Sequence, residues 1–167
     1  RLWDNRSPER AEGNLRVLIS SLNQIVDEHV VVDNDVLYIK PGGDLWADVY
    51  EFSEQLSEID LSVTLVRDHL YGLGSSSPLT QHEISTLHSA LELYRGDFIS
   101  SFKLREASGF DNWVTGERAK YRHLAYAAAD KLAGHALAKG EFQEGISWVQ
   151  TMLEIDILKE EAHRKIM

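Results

Sequence analysis

Between residues 15 and 26 the apolar side chains fall at Leu15, Leu18, Ile19, Leu22, Ile25 and Val26. This is the spacing of a single buried stripe on a helix of about 3.6 residues per turn. The opposite face is Val17, Ser20 and Gln24, flanked by Arg16, Ser21 and Asn23. The period then changes. His29 to Val32 and Val36 to Ile39 are rich in β-branched residues and are pinched by Asp33-Asn34-Asp35, which predicts a tight hairpin because Asn and Asp tolerate positive φ. Pro41-Gly42-Gly43 ends this unit.

Beyond residue 44 every pattern is helical. Asp48 with Glu51 three residues on reads as a capping box ahead of a stripe of Val49, Phe52, Leu56 and Ile59. Residues 61–73 predict another helix and 74–78 a loop. Thr80 and Glu83 then form a second capping box leading into Ile84, Leu87, Leu91 and Tyr94. Residues 94–102, YRGDFISSF, break the periodicity at Gly96 and place Phe98, Ile99 and Phe102 where a loop can tuck them under neighbouring helices. A long helix is predicted from about Asp111 to Lys139, with an internal break allowed, on a face of Trp113, Tyr121, Leu124, Ala128, Leu132 and Ala136, and Gly140 stops it. Residues 141–154 carry Phe142, Ile146, Val149 and Leu153 on one face, and 159–167 begin a further helix.

Composition narrows the function classes. The chain of 167 residues is 43% hydrophobic and carries no cysteine, which excludes disulfides, thiolate metal sites and cysteine nucleophiles. Its longest apolar runs fall far short of the roughly 20 residues that span a bilayer, and no signal peptide precedes them, so a cytoplasmic protein without membrane contact is expected. The chain opens on Arg1 and closes on Lys165-Ile166-Met167 inside a predicted helix, as expected of a piece of a longer protein. The formal charge of −10 argues against a surface that engages nucleic acid everywhere. Residues 1–43 hold five Lys/Arg against seven Asp/Glu, while 44–167 hold twelve against twenty. Any nucleic-acid contact therefore belongs in the first quarter.

Catalytic and metal-binding chemistry finds little support. Arg95-Gly96-Asp97 spells an adhesion tripeptide but reads as a structural turn, and Gly72-Leu73-Gly74 lacks the third glycine and the context of a dinucleotide site. His82 and His88 fall on different helical faces, and Glu160 with His163 is a lone pair, so no metal site is assembled. The remaining acidic residues fall on polar faces where solvation accounts for them. No nucleophile-elbow motif is present, and neither enzyme activity nor a cofactor is expected. Trp113, Tyr121 and Tyr126 with the alanines of 125–129 can line a groove but fit core packing better. Trp148, between Ile146 and Val149, is a candidate partner contact.

Residues 132–156, LAGHALAKGEFQEGISWVQTMLEID, resemble a tetratricopeptide repeat: Gly140, Phe142, Leu153 and Asp156 match, while Gly145 stands where Ala is usual and Ile157 where Pro is usual. A narrower resemblance joins ALELYRGDF at 90–98, Trp113, Glu117-Arg118, the GEF of 140–142 and DILKEEAHRKIM at 156–167. Together these look like the bacterial transcriptional activation domain of the Streptomyces antibiotic regulatory protein family and of related large ATPase-linked regulators. In that family the domain follows an OmpR-type winged helix, and NLRVLISSLNQIV at 14–26 with the hairpin at 29–40 sits where its recognition helix and wing belong. Leu2-Trp3 resembles the end of the preceding element.

The resemblance implies a mainly α chain, with residues 1–43 the C-terminal half of a winged-helix DNA-binding domain and 44–167 a tetratricopeptide-like helical domain. It further implies a transcription regulator that binds an operator in double-stranded DNA, activates transcription, and uses the helical domain for homodimerisation, RNA polymerase contact or signal relay. In the major groove Arg16 can fork onto a guanine and Asn23 or Gln24 can bridge an adenine edge. Asn14, Val17, Ser20 and Ser21 share the helix, Arg6 and Arg10 lie just before it, and Asn34 at the wing can touch a phosphate that Asp33 and Asp35 would repel. The family's recognition helix usually carries several Arg near its middle and end, where this chain has Ser21, Asn23 and Gln24. The alternative is a protein-interaction module whose winged helix no longer binds DNA, which the acidic charge favours.

Overall fold

A computed structural model describes residues 7–26, 30–33, 36–39, 46–61, 78–103 and 107–156. Among them run α1 (Pro8–Val26), β1 (Val30–Asp33), β2 (Val36–Ile39), α2 (Asp48–Ser57), α3 (Gln81–Leu93), α4 (Ser108–Lys139) and α5 (Phe142–Ile155). The helices expected at 61–73 and 159–167 and the candidate residues Arg6 and Asn34 lie outside the described residues. So do the Gly72-Leu73-Gly74 turn and the Glu160–His163 pair. The chain divides into two compact units, residues 1–47 with 103–113 and residues 48–102 with 114–167.

In the first unit α1 is longer than its apolar stripe indicates. It starts at Pro8, whose fixed φ and missing N–H suit the first helical position, and the Ser7 carbonyl accepts from the Ala11 N–H at 3.0 Å. Arg10 therefore lies within the helix rather than before it. β1 and β2 pair antiparallel as the expected hairpin, with Val30 opposite Ile39 and Asp33 opposite Val36, so Asp33 belongs to the strand and not to the turn. The stripe on α1, read from its spacing as buried, is not: Leu15 is 37% exposed, Leu18 44% and Ile25 82%.

The second unit holds the core. Phe52 and Leu56 of α2, Leu87 and Ala90 of α3, and Ala125, Ala128 and Leu132 of α4 pack together with Ile59. A second cluster joins Tyr126, Ala129 and Ala133 of α4 to Val149 and Met152 of α5. Between 125 and 134 α4 is buried on nearly every side, which explains its run of Ala and Gly: only small side chains let helices approach it from several directions. It is continuous over 32 residues, without the break its sequence allows. Trp113 does not join the buried face of α4. It is 41% exposed and packs its ring on Phe110 at 5.6 Å. Asp130 likewise departs from the expectation of solvated acidic residues, being only 7% exposed.

Helix ends follow local chemistry. The Thr80 hydroxyl accepts from the Glu83 N–H, and the Thr80 N–H donates to the Glu83 carboxylate at 2.7 Å, closing the predicted box at α3. At α2 the Asp48 carboxylate accepts from the Val49 N–H at 2.8 Å, but Glu51 takes the Gln55 amide one turn on instead of reaching back. At the end of α4, Gly140 adopts φ 79°, its N–H donates to the Leu137 carbonyl and the Glu141 N–H donates to the Ala136 carbonyl. That pair of bonds is a Schellman closure, which favours glycine at the left-handed position.

The α5 face also differs from its reading. Gly145, Val149 and Met152 are buried, while Phe142 is 66% exposed and Ile146 37%. Gly145 supplies the reason. A Cβ there would stand 3.2 Å from Leu137 Cδ2 and 3.7 Å from the Ala133 carbonyl oxygen, so its lack of a side chain draws that side of α5 onto α4 and turns Phe142 outward. Phe142, the aromatic that matches the tetratricopeptide pattern, is therefore not part of the core.

Candidate functional site

The exposed candidates on α1 are Arg10, Asn14, Arg16, Val17, Ser20, Ser21 and Gln24, and Val17 is 69% exposed. At about 100° per residue, Arg10, Asn14, Val17, Ser21 and Gln24 share one narrow stripe, with Ser20 beside it and Arg16 further round, while the Asn23 side chain lies outside the described ones. The helix thus gathers most of the candidate residues on one side, but Arg16 belongs to its flank.

Electrostatics limit what this face can hold. The Arg16 guanidinium donates to the Glu12 carboxylate one turn earlier, and both side chains are well exposed. Glu9 in the first turn has its carboxyl held below the ordinary value, first by its own backbone N–H and then by the Ser7 hydroxyl. It occupies donors at the helix N-terminus that an approaching phosphate would otherwise use. Two arginines and two glutamates leave α1 formally neutral. Ser21 Oγ donates to the Val17 carbonyl at 3.0 Å, so its hydroxyl hydrogen is committed while its lone pairs stay available.

In the second unit, two arginines one turn apart on α4 hold the loop after α3. Arg118 Nε donates to the Phe98 carbonyl and its Nη2 to the Ile99 carbonyl, each at 2.8 Å. Arg122 Nη2 donates to the Asp97 carboxylate oxygens at 2.8 and 2.7 Å. The hydrogen bond to Asp97 is also the main reason the Arg122 pKa is raised. Gly96 takes φ 133° and Ile99 φ 40°, a left-handed conformation that a β-branched residue adopts only under constraint. The Arg118 bond to the Ile99 carbonyl supplies that constraint. The Arg-Gly-Asp tripeptide is therefore a turn whose aspartate is bound within the protein.

Sequence reading had Glu117-Arg118 and the YRGDF run as separate signatures and missed Arg122. The signal was present in the i, i+4 spacing of Arg118 and Arg122, which aims two guanidinium groups at one side of α4. Of the loop's apolar residues, Phe98 packs on Tyr121 at 5.4 Å, whereas Ile99 and Phe102 are 38% and 50% exposed and are not tucked under the helices. Tyr94 and Tyr121 flank this loop, and burial is the first cause of the raised pKa of both phenols.

Trp148 is half-buried against both core clusters, with its ring edge-on to His88 at 4.8 Å. Only part of its indole is available to a partner. Among the described residues no group of three or more His, Asp or Glu is placed to hold a metal ion, and no helix is long and apolar enough to cross a membrane.

Comparison with protein families matches residues 73–167 to the bacterial transcriptional activator domain. No curated protein and no solved structure matches the chain.

Proposed function

The chain belongs to the bacterial transcriptional activator domain family, a non-catalytic regulatory domain, and from that premise we propose that it is part of a cytoplasmic DNA-binding transcription regulator. In this reading residues 1–43 are the second half of a winged helix, α1 enters the major groove of an operator, and β1 and β2 form the wing. The helical domain of residues 44–167 dimerises the protein, contacts RNA polymerase or relays a signal, and needs no cofactor.

The observation that carries the reading is the order of parts: an exposed polar helix face, a two-stranded hairpin, then the matched helical family. Binding of the full-length protein to its own promoter region, titrated against salt, tests it. A reader of DNA must release counterions, so log affinity should fall with log salt. Absence of any shift at low salt rejects the reading. Arg16→Ala should then weaken binding by about 1 to 3 kcal/mol at one base position if Arg16 forks onto a guanine. An equal loss on all sequences makes it a phosphate contact.

The formal neutrality of α1 favours a second reading, in which the same fold is a protein-interaction module that no longer reads DNA. In that case the chain's partners are proteins alone, and the promoter titration is flat.

A further inference from the structure

The stripe of Arg10, Asn14, Val17, Ser21 and Gln24 on α1 carries no carboxylate. At about 100° per residue, Glu9 falls about 60° beyond its nearest edge and Glu12 about 120° beyond, on the side where Arg16 stands. All five residues of the stripe are exposed. Among the described residues no hydrogen bond or ion pair takes up the Arg10 guanidinium or the Asn14 and Gln24 amides. Val17, 69% exposed, is the apolar side chain in the middle of this polar surface.

These residue types discriminate between base pairs. In the major groove guanine presents two acceptors, best met by a charged fork, whereas adenine pairs an acceptor with an amino donor that a carboxamide matches, and thymine offers a methyl group that an apolar side chain covers. Asn14 and Gln24 are carboxamides, and Val17 is apolar. The Ser21 hydroxyl has already given its hydrogen to the Val17 carbonyl, so its oxygen can face an amino group of adenine or cytosine but not the acceptor edge of guanine. Arg16 lies on the flank, engaged by Glu12, and Arg10 stands about 6 Å before Asn14 near the start of the helix. From Asn14 to Gln24 the helix rises about 15 Å, which matches about four base-pair steps of about 3.4 Å.

We propose that α1 reads a run of about four A·T pairs, in which Val17 packs on a thymine methyl, Asn14 and Gln24 each bridge N6 and N7 of an adenine, and Ser21 accepts from an adenine amino group. Arg10 takes the phosphate or guanine at the edge of the run. The assignment rests on the reading of α1 as a recognition helix and adds to it the class of sequence recognised.

Selection from a random-sequence duplex library by the full-length protein tests it, run in parallel with Asn14→Ala and Val17→Ala. Both substitutions lie at exposed positions and should leave the circular dichroism spectrum unchanged. The base pairs whose preference either variant relaxes mark the stretch under α1, and these should be A·T. On a selected duplex Asn14→Ala should lower affinity at least about fivefold. Replacing thymine with uracil at each marked position in turn removes only a methyl group. At one of them it should weaken the parent about fourfold, the worth of one buried methyl, and Val17→Ala much less. Gln24→Ala, at the other end of the stripe, decides the matter by the same route if Asn14→Ala misfolds. Marked positions that are G·C, no marked position at all, or equal sensitivity to uracil in the parent and in Val17→Ala each overturns the proposal while DNA binding itself persists. If no duplex is retained even at low salt, the reading of α1 as a recognition helix falls and this proposal falls with it.

Discussion

Arg118 and Arg122 do different work although they sit on the same face of one helix. Arg118 satisfies two backbone carbonyls of a loop that must turn sharply, and Arg122 pairs with a carboxylate whose side chain is one-third exposed. Solvent screening weakens the second interaction. Arg122→Ala should therefore cost about 0.5 to 1 kcal/mol and Arg118→Ala about 1 to 2 kcal/mol, read from urea unfolding of the helical domain. Arg118→Lys should not rescue, because an ammonium cannot reproduce the forked geometry. Tyr94 and Tyr121 add a pH dependence. Burial raises both phenols above the ordinary value near 10, so the folded state keeps protons that the unfolded chain has already released. Their stabilising contribution is full below pH 10 and is lost as pH rises from there through the raised folded values. Replacing both with Phe should flatten the alkaline limb of a stability–pH curve relative to the parent protein. A tripeptide string could not disclose this arrangement, because Asp97 acquires its role only when a residue 25 positions away is brought to it.

At the level of elements, legibility followed the range of the forces involved. The cap at α3, the stop at Gly140 and the hairpin depend on residues within a few positions of one another, and spacing alone revealed them. Thr80→Ala should accordingly cost about 1 kcal/mol, with Thr80→Ser retaining most of the stability, as measured by thermal or urea unfolding. Faces were less legible than ends. On α5 the apolar stripe pointed to Phe142 and Ile146, but contact with α4 is decided by the missing side chain at Gly145, a feature that hydrophobic periodicity scores as nothing. On α1 the periodicity is correct and burial does not follow from it, since a stripe specifies where a neighbour would bind and not that one of the described elements covers it. The long helix was legible as a helix, while its central position in the unit had to be inferred from small residues on all sides, a pattern that amphipathic templates do not reward.

Across the whole molecule the distribution of charge constrains any DNA contact more tightly than the fold does. The total of −10 means that the far field repels a duplex, so association must be driven locally by α1. There Arg10 and Arg16 are opposed by Glu9 and Glu12, and Glu12 already holds the Arg16 guanidinium. To fork onto a base or a phosphate Arg16 must leave that carboxylate, and a phosphate close to the helix must tolerate the carboxylate left behind. An exposed i, i+4 pair of this kind contributes only about 0.3 to 0.5 kcal/mol, so breaking it is a small cost. The larger penalty is the remaining anion beside DNA. Glu12→Gln removes both at once while preserving side-chain length and helix propensity. If α1 reads DNA, this variant should bind the promoter region several-fold more tightly at low salt, with the advantage shrinking as salt screens the charge. Arg16→Ala introduced on top of it should abolish most of the gain, because the gain requires a freed guanidinium as well as a lost carboxylate. A Glu12→Gln protein that binds the duplex no better than the parent at any salt would place α1 away from the DNA and leave the chain to its protein partners.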